Sequence, residues 1–129
     1  MILDSSAVVA IVFQEPEYEV LLTKLAAAEV AGIGSPTLVE CAIILGARMN
    51  QDARSLLARL LHEASVTISP FTETHYGLAL AAWLTYGKGR HPAALNFGDC
   101  LSCAVAKHAS RPLLCVGNDF PQSDLLLAY

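Results

Sequence analysis

Short apolar segments alternate with longer helix-like segments along most of the chain. The apolar segments span residues 2–3, 30–35, 66–69 and 113–116, and residues 125–127 form a further candidate edge strand. The intervening segments are long enough to contain helices, which is what connections between parallel strands require. The pattern predicts one α/β domain over residues 1–129, with a central parallel β-sheet flanked by helices in three layers.

Helix signals fill the segments between these strands. The sequence predicts helices over residues 7–13, 16–29, 37–49, 51–64, 72–86 and from 96 to at least 106. Ser5 and Ser6 are the expected N-cap of the first helix, and Pro16 is expected in the first turn of the second. Thr72 and Asn96 are the expected N-caps of the last two helices.

The chain is unusually apolar. Apolar residues make up 54% of the sequence and charged residues only 16%. No apolar run reaches the roughly 18 residues that a membrane span needs. This composition suits a sheet that is buried on both faces, with apolar surface left over for a partner chain. The N-terminal residues lack the basic and apolar regions of a secretion signal, so a cytoplasmic location is expected.

The four cysteines lie in apolar surroundings. Cys100 and Cys103 form one CxxC spacing, which raises the alternative of a redox or zinc site. Neither a second CxxC nor an HxxxH pattern accompanies it, and the pair lies inside a predicted helix. Buried free thiols in a reducing compartment are therefore the favoured interpretation.

Four acidic residues fall where the predicted topology brings strand ends together. Asp4 follows the first strand, and Asp119 follows the fourth. Glu40 lies one turn into the helix after the second strand, among apolar neighbours, and Asp99 opens the helix that leads to the fourth strand. The functional crevice of a parallel sheet lies beyond the carboxyl ends of its strands. We therefore expect these four acids to converge.

Each of these acids also has a local explanation. Asp4 and Asp119 fit turns, whereas Glu40 and Asp99 fit the first turns of helices, where a carboxylate caps the backbone or complements the helix dipole. Asp99 is the only charged residue between Arg90 and Lys107. The local role explains each acid when it is taken alone. Convergence of all four at one edge favours a shared site.

A shared carboxylate site implies a bound cation. Converging carboxylates repel one another and would take up protons unless a cation neutralised them. Hard oxygen ligands without His or Cys favour Mg²⁺, with Mn²⁺ as a substitute. The corresponding chemistry is phosphoryl transfer by a metal-activated water. The net charge of −4, without a basic tail, counts against a nucleic-acid substrate, but bound dications or a partner would offset it.

In the order and spacing of its motifs, the sequence resembles a PIN-domain ribonuclease of the VapC toxin type. No single motif is specific, but together they extend over nearly the whole chain. They are Asp4-Ser5-Ser6 with the apolar segment after it, Pro36-Thr37-Leu38-Val39-Glu40, the loop 87–93, Leu95-Asn96-Phe97-Gly98-Asp99, and Gly117-Asn118-Asp119-Phe120 with Ser123-Asp124.

The resemblance implies a PIN fold and a Mg²⁺-dependent endoribonuclease that cuts tRNA, rRNA or mRNA. It implies that Asp4, Glu40, Asp99 and Asp119 form the acidic pocket, with Asp4 and Asp99 as the principal Mg²⁺ ligands. Ser6 and Ser123 would orient waters or ligands, and Asp124 would be a peripheral acid. The expected partners are a VapB-type antitoxin, which inserts a segment near the site, and a second copy of the chain in a homodimer.

The loop before Asp99 is a candidate RNA contact. It contains Lys88, Arg90 and His91, and our hypothesis is that these residues contact RNA phosphates. A solvated loop is the alternative. The other histidines, His62, His75 and His108, lack metal-ligand spacing and are expected to be surface or cap residues.

Two other functions compete with the nuclease. A phosphatase of the haloacid-dehalogenase type also places an aspartate after its first strand. That class needs a second aspartate two residues later, where this chain has Ser6, so the phosphatase ranks low. The second alternative is a non-catalytic binding module that retains the PIN fold, and only an activity assay distinguishes it from an enzyme.

Overall fold

A computed structural model describes residues 1–128. Its four parallel strands have the order β3-β2-β1-β4 and are β1 (Ile2–Leu3), β2 (Ala31–Gly34), β3 (Val66–Ser69) and β4 (Leu113–Leu114). The helices are α1 (Ser5–Val12), α2 (Tyr18–Ala27), α3 (Ser35–Met49), α4 (Arg54–Glu63), α5 (Glu73–Tyr86) and α6 (Phe97–Ala109). A short 3₁₀ helix spans Phe120–Gln122. The α/β class with a central parallel sheet is thus confirmed.

The sheet separates two apolar cores, as the three-layer prediction requires. Successive strand residues point to opposite faces of a sheet. Leu3 and Leu114 belong to a core that also includes residues of α1, α2, α3 and α4. Ile2 and Leu113 belong to a second core formed with α5 and α6. Both faces of the sheet are therefore covered by helices.

The beginnings of the first two helices differ from the prediction. Helix α1 begins at Ser5, and its N-cap is Asp4 rather than a serine. Helix α2 begins at Tyr18, so Pro16 lies before the helix and not in its first turn. The physical reason is the connection: Gln14 and Glu17 have positive φ angles of 50° and 78°, which reverse the chain before α2 can start.

The end of the chain forms less strand than predicted. Strand β4 stops at Leu114, two residues before Val116. Leu127 forms one isolated parallel bridge with Leu113, and no longer pairing of residues 125–127 is present in the described part of the chain. No helix within residues 1–128 is long and apolar enough to cross a membrane.

The cysteines and histidines follow the prediction closely. All four cysteines are free and buried. His75 is a cap residue, because its Nδ1 accepts a hydrogen bond from the backbone N–H of Thr72 at 3.0 Å, although its ring is buried. His62 and His108 lie on the surface.

Candidate active site

A cavity of about 420 Å³ opens at the carboxyl edge of the sheet, and all four predicted acids line it. Asp4 follows β1 directly. Asp119 lies in the loop after β4, the strand that pairs with β1. Chain order reverses between these two strands, because the connections from β1 lead to β2 and β3 on one side while β4 lies on the other. Open α/β sheets bind ligands at such a switch point. We call this cavity the carboxylate pocket.

Asp4 is the most firmly held of the four acids. Its side chain is buried, and Oδ2 accepts hydrogen bonds from the backbone N–H of Ser6 at 3.0 Å and from the Ser6 hydroxyl at 2.6 Å. The Ser6 hydroxyl in turn accepts a hydrogen bond from the backbone N–H of Val116 at 3.0 Å. Ser6 therefore fixes Asp4 and ties the end of β1 to the segment after β4.

The structure adds Ser102, which sequence reasoning missed. The Ser102 hydroxyl donates a 2.6 Å hydrogen bond to Asp4 Oδ1 from helix α6. Ser102 is buried and lies 3.2 Å from the Thr37 hydroxyl of α3. Ser102 thus bonds directly to the Asp4 carboxylate, and Thr37 contacts Ser102 behind it. The available signal was weak: Ser102 was one polar residue in an apolar helix.

Asp99 has both a structural role and a place in the pocket. Asn96 Oδ1 accepts the backbone N–H of Asp99 at 2.9 Å, and Asp99 Oδ2 accepts the backbone N–H of Asn96 at 3.0 Å. This capping box starts α6. The pKa of Asp99 is raised to about 6, chiefly by burial and also by the charges of Asp4, Asp119 and Glu40, against the lowering effect of the Asn96 hydrogen bond. The capping box uses only Oδ2 of Asp99, so Oδ1 takes no part in it.

Glu40 reaches the pocket from the second turn of α3. Its carboxylate lies against Gly98, in the first turn of α6. Glu40 also lines a second, larger cavity described below, so it stands between the two.

Asp119, Ser123 and Asp124 lie at or near the loop after β4. Asp119 is exposed and lines the carboxylate pocket. The Ser123 hydroxyl donates to the Phe120 carbonyl at 2.7 Å and stands outside the pocket lining. Asp124 forms an ion pair with Lys107 at 2.9 Å. Of the acids in this segment, the structure brings only Asp119 to the pocket.

The donor set of the pocket fits a hard divalent cation. No ion pair within residues 1–128 involves any of the four predicted acids, whereas Glu15, a fifth acid in the pocket lining, pairs with Arg48 at 3.2 Å. A carboxylate offers about four lone-pair sites, and three hydrogen bonds occupy those of Asp4, which leaves capacity on Oδ1. Asp99 Oδ1 is also free of the capping box. The described residues nonetheless include no group of three or more His, Cys, Asp or Glu side chains gathered closely enough to hold a metal ion.

A large apolar groove of about 1190 Å³ adjoins the carboxylate pocket. It runs between α3 and α5, and it shares Glu40, Ile44 and Asn96 with the pocket. Large apolar side chains are exposed along it, including Ile43 and Phe97. The groove is therefore an uncovered apolar surface that reaches Glu40 at the border of the carboxylate pocket.

The loop before α6 presents one unengaged cation near this groove. Lys88 is exposed and lines the groove. The Arg90 guanidinium instead stacks over the ring of Trp83, 4.5 Å from its centroid. The His91 Nδ1 accepts the backbone N–H of Ala93 at 3.0 Å. Lys88 is thus the residue of this loop that is best placed to meet a phosphate.

Sequence comparisons assign the chain to a known family. The family model described as the PIN domain matches residues 1–124. Ribonuclease VapC36 of Mycobacterium tuberculosis is 48% identical over 126 residues, which cover 97% of this chain and 91% of the relative. Ribonuclease VapC of Mycolicibacterium smegmatis is 38% identical over 125 residues, which cover 97% of each protein.

Solved structures share the fold at lower identity. VapC20 of Mycobacterium tuberculosis, described as a Sarcin-Ricin loop cleaving toxin, superposes with a TM-score of 0.73 at 19% identity and covers 97% of this chain and 95% of that one. A toxin-antitoxin complex from Klebsiella pneumoniae gives a TM-score of 0.72 at 16% identity, with 99% and 97% of the two chains covered. The family model and the close relatives together show that this chain belongs to the PIN-domain family, among its VapC ribonucleases.

Proposed function

We propose that the chain is the toxin of a toxin–antitoxin pair and hydrolyses RNA phosphodiester bonds with Mg²⁺ at the carboxylate pocket. The observation that supports this proposal most strongly is the convergence of Asp4, Glu40, Asp99 and Asp119 on one cavity, where no ion pair within residues 1–128 neutralises any of the four. Burial is the largest cause of the raised pKa of Asp99, about 6, and the charges of the other three acids add to it.

Asp4 and Asp99 are the proposed principal ligands, and Mn²⁺ is a possible substitute for Mg²⁺. A bound dication would lower the pKa of the attacking water and stabilise charge on the scissile phosphate. Ser6 and Ser102 hold the Asp4 carboxylate in one orientation, so that it need not reorganise when the ion enters. Asn96 does the same for Asp99 through the capping box.

RNA is the proposed substrate because the ribonuclease names of the close relatives and the phosphoryl-transfer chemistry of the pocket agree. Lys88 is proposed to contact a substrate phosphate beside the pocket. The pocket itself is acidic, so the substrate backbone would approach it only when dications are bound. A cytoplasmic location stays a prediction.

A VapB-type antitoxin is the proposed inhibitor. An apolar antitoxin segment would cover the groove. A basic side chain of that segment would reach past Glu40, which lines both cavities, and occupy the carboxylate pocket. We also propose a homodimer, since the chain has apolar surface beyond what one segment covers, such as Val30 and Leu126.

The proposal is tested with Asp99→Asn, which keeps the side-chain shape and one acceptor for the cap. We expect purified wild-type protein to cleave RNA only with Mg²⁺ or Mn²⁺, and Asp99→Asn to lose this activity while its circular dichroism spectrum is unchanged. Glu63→Gln, on the surface of α4, is the matched control and should cleave normally. Equal residual cleavage by the wild type and Asp99→Asn would indicate a contaminating nuclease and leave the non-catalytic binding module as the better interpretation.

The substrate is identified by mapping RNA ends in cells. Induced expression of the wild type should produce a dominant cleavage site that is missing after expression of Asp4→Asn. A shared pattern of ends would contradict cleavage at this pocket. The same experiment shows whether tRNA, rRNA or mRNA is cut.

A further inference from the structure

Gly98 occupies a helical position that has no conformational need for glycine. It lies in the first turn of α6, and the glycines with positive φ angles are Gly89 and Gly117 instead. Alanine is the better helix former at such a position, because glycine loses more backbone freedom on folding. A reason for glycine must therefore come from packing.

The packing reason is the carboxylate of Glu40. A Cβ atom built on Gly98 would overlap Glu40 Oε2, and it would lie 3.0 Å from Cδ and 3.2 Å from Oε1 of the same carboxylate. Glu40 comes from α3, and no ion pair holds it within residues 1–128. The missing side chain at residue 98 is what admits Glu40 to the positive end of α6.

This contact differs from the other helical glycines. A Cβ atom on Gly77, in α5, would meet nothing within 4 Å. A Cβ atom on Gly46, in α3, would meet only the backbone oxygen of Gln51, at 3.1 Å. Among these three, Gly98 alone would press a side chain against a residue of the carboxylate pocket.

We propose that Gly98 is a positioning residue that places the Glu40 carboxylate beside Asp99 and thereby sets the affinity of the pocket for a divalent cation. The inference rests on the proposed function of the pocket. Alanine at residue 98 forces the Glu40 side chain into another rotamer, which moves its carboxylate away from α6. The pocket then loses one acid without the loss of any carboxyl group from the sequence.

The test compares Gly98→Ala with the matched control Gly77→Ala in the full chain. Mn²⁺ affinity is measured by calorimetry and by the paramagnetic resonance of free Mn²⁺, neither of which depends on RNA cleavage. We expect Gly98→Ala to weaken Mn²⁺ binding about 10-fold or more, as for other changes in residues that orient metal ligands. Gly77→Ala should bind as the wild type does. Unchanged Mn²⁺ binding by a folded Gly98→Ala protein would overturn the inference.

A double variant separates an effect through Glu40 from a general effect on α6. Gly98→Ala combined with Glu40→Ala should bind Mn²⁺ as Glu40→Ala does, because the group that Gly98 positions is already gone. Additive losses would contradict the inference. If Gly98→Ala does not fold, a folded double variant supports the inference, since removal of Glu40 relieves the overlap; an unfolded double variant overturns it.

A second rescue uses a shorter acid. Glu40→Asp retracts the carboxylate by one methylene group and should restore part of the Mn²⁺ affinity of Gly98→Ala; no recovery would count against the inference. Failure here is distinguishable from failure of the proposed function. If Asp99→Asn cleaves RNA normally, the pocket is not the active site. If Asp99→Asn is inactive and Gly98→Ala binds Mn²⁺ normally, only the role of Gly98 is wrong.

Discussion

The buried carboxylate of Asp4 shows how local and distant residues share one task. Ser6, two residues away, donates two hydrogen bonds to Oδ2, whereas Ser102 donates to Oδ1 across 98 residues of sequence. The local donor follows from the Asp-Ser-Ser motif, because side chains at such turns bond to nearby backbone groups. The distant donor depends on how α6 packs beside β1, which no local pattern specifies.

The first prediction concerns that distant donor. Ser102→Ala removes a hydrogen bond from a buried, charged oxygen and replaces it with no other donor, so the free energy of unfolding should fall by about 1–3 kcal/mol. Urea denaturation measures the change. Ser55→Ala, at an exposed position of α4, is the control and should differ little from the wild type. Equal stability of the two variants would mean that Ser102 does not support Asp4.

The second prediction concerns Asp99 in the absence of metal. Its folded pKa of about 6 lies above the ordinary 3.8, so the folded state binds this proton more tightly than the unfolded state. The stabilisation of the folded state by the protonated Asp99 carboxyl is therefore complete below pH 3.8 and is lost as pH rises to about 6. Asp99→Asn has no such loss. Near about pH 7.5 its free energy of unfolding should exceed that of the wild type by about 1 kcal/mol, after allowance for solvent screening.

Urea denaturation with a chelator present measures this difference. The stabilities of the wild type and Asp99→Asn should approach each other near about pH 4, where the wild-type carboxyl is protonated in the folded state. A difference that stays constant between the two pH values would show that Asp99 does not titrate as the crowded pocket requires.

At the scale of elements, strand β2 and helix α6 approach each other closely. A Cβ atom on Gly34, the last residue of β2, would lie 2.8 Å from Cγ2 of Val105 in α6. This close approach brings the start of α3 near α6, where Glu40 and Thr37 reach the residues of the other helix. The small residue at the end of β2 thus helps to assemble the pocket.

The third prediction tests this approach. Gly34→Ala forces β2 and α6 apart or distorts Val105, so the free energy of unfolding should fall by about 1–3 kcal/mol. The double variant with Val105→Ala should lose less stability than the sum of the two single losses, because the second change makes room for the new methyl group. Urea denaturation of both single variants and the double variant measures the coupling. Additive losses would place the cause elsewhere than in this contact.

Much of the element order could be predicted, and the exceptions have local causes. Asn96 and Thr72 were predicted from the sequence as N-caps, and α6 and α5 begin where expected. Pro16 gave a misleading start for α2, because the positive φ angle of Glu17 delays the helix. A glycine at residue 17 would have indicated a positive φ angle, whereas a glutamate does not.

At the scale of the whole molecule, topology predicted more of the site than side-chain patterns did. Parallel strands put their carboxyl ends at one edge, so the convergence of Asp4 and Asp119 follows from β1 and β4 being neighbours. The roles of Ser102 and Gly98 can be recognised only when the packing of the helices is known. The four acids and their local partners Ser6 and Asn96 were therefore predictable from the sequence, but the partners from distant helices were not.

The two cores offer a test of whether the domain unfolds as one unit. Cys41 belongs to the core on one side of the sheet, and Cys100, Cys103 and Cys115 belong to the core on the other. Burial raises the pKa of Cys41 and Cys115 to about 12 and that of Cys103 to about 11, so thiolate is scarce in the folded state as well as shielded.

The fourth prediction is that a thiol reagent labels the native protein only as fast as the whole domain opens. All four cysteines should then react at one common rate, and four thiols per chain should react at once in denaturant. Mass spectrometry of the labelled peptides compares the cysteines individually, and Thr74→Cys, at an exposed position of α5, supplies a rapidly labelled control. Faster labelling of Cys41 than of Cys103 would show that one core opens alone. The two cores on either side of the sheet would then unfold separately. Helix α3, which carries Glu40, would unfold and leave the carboxylate pocket before α6 does.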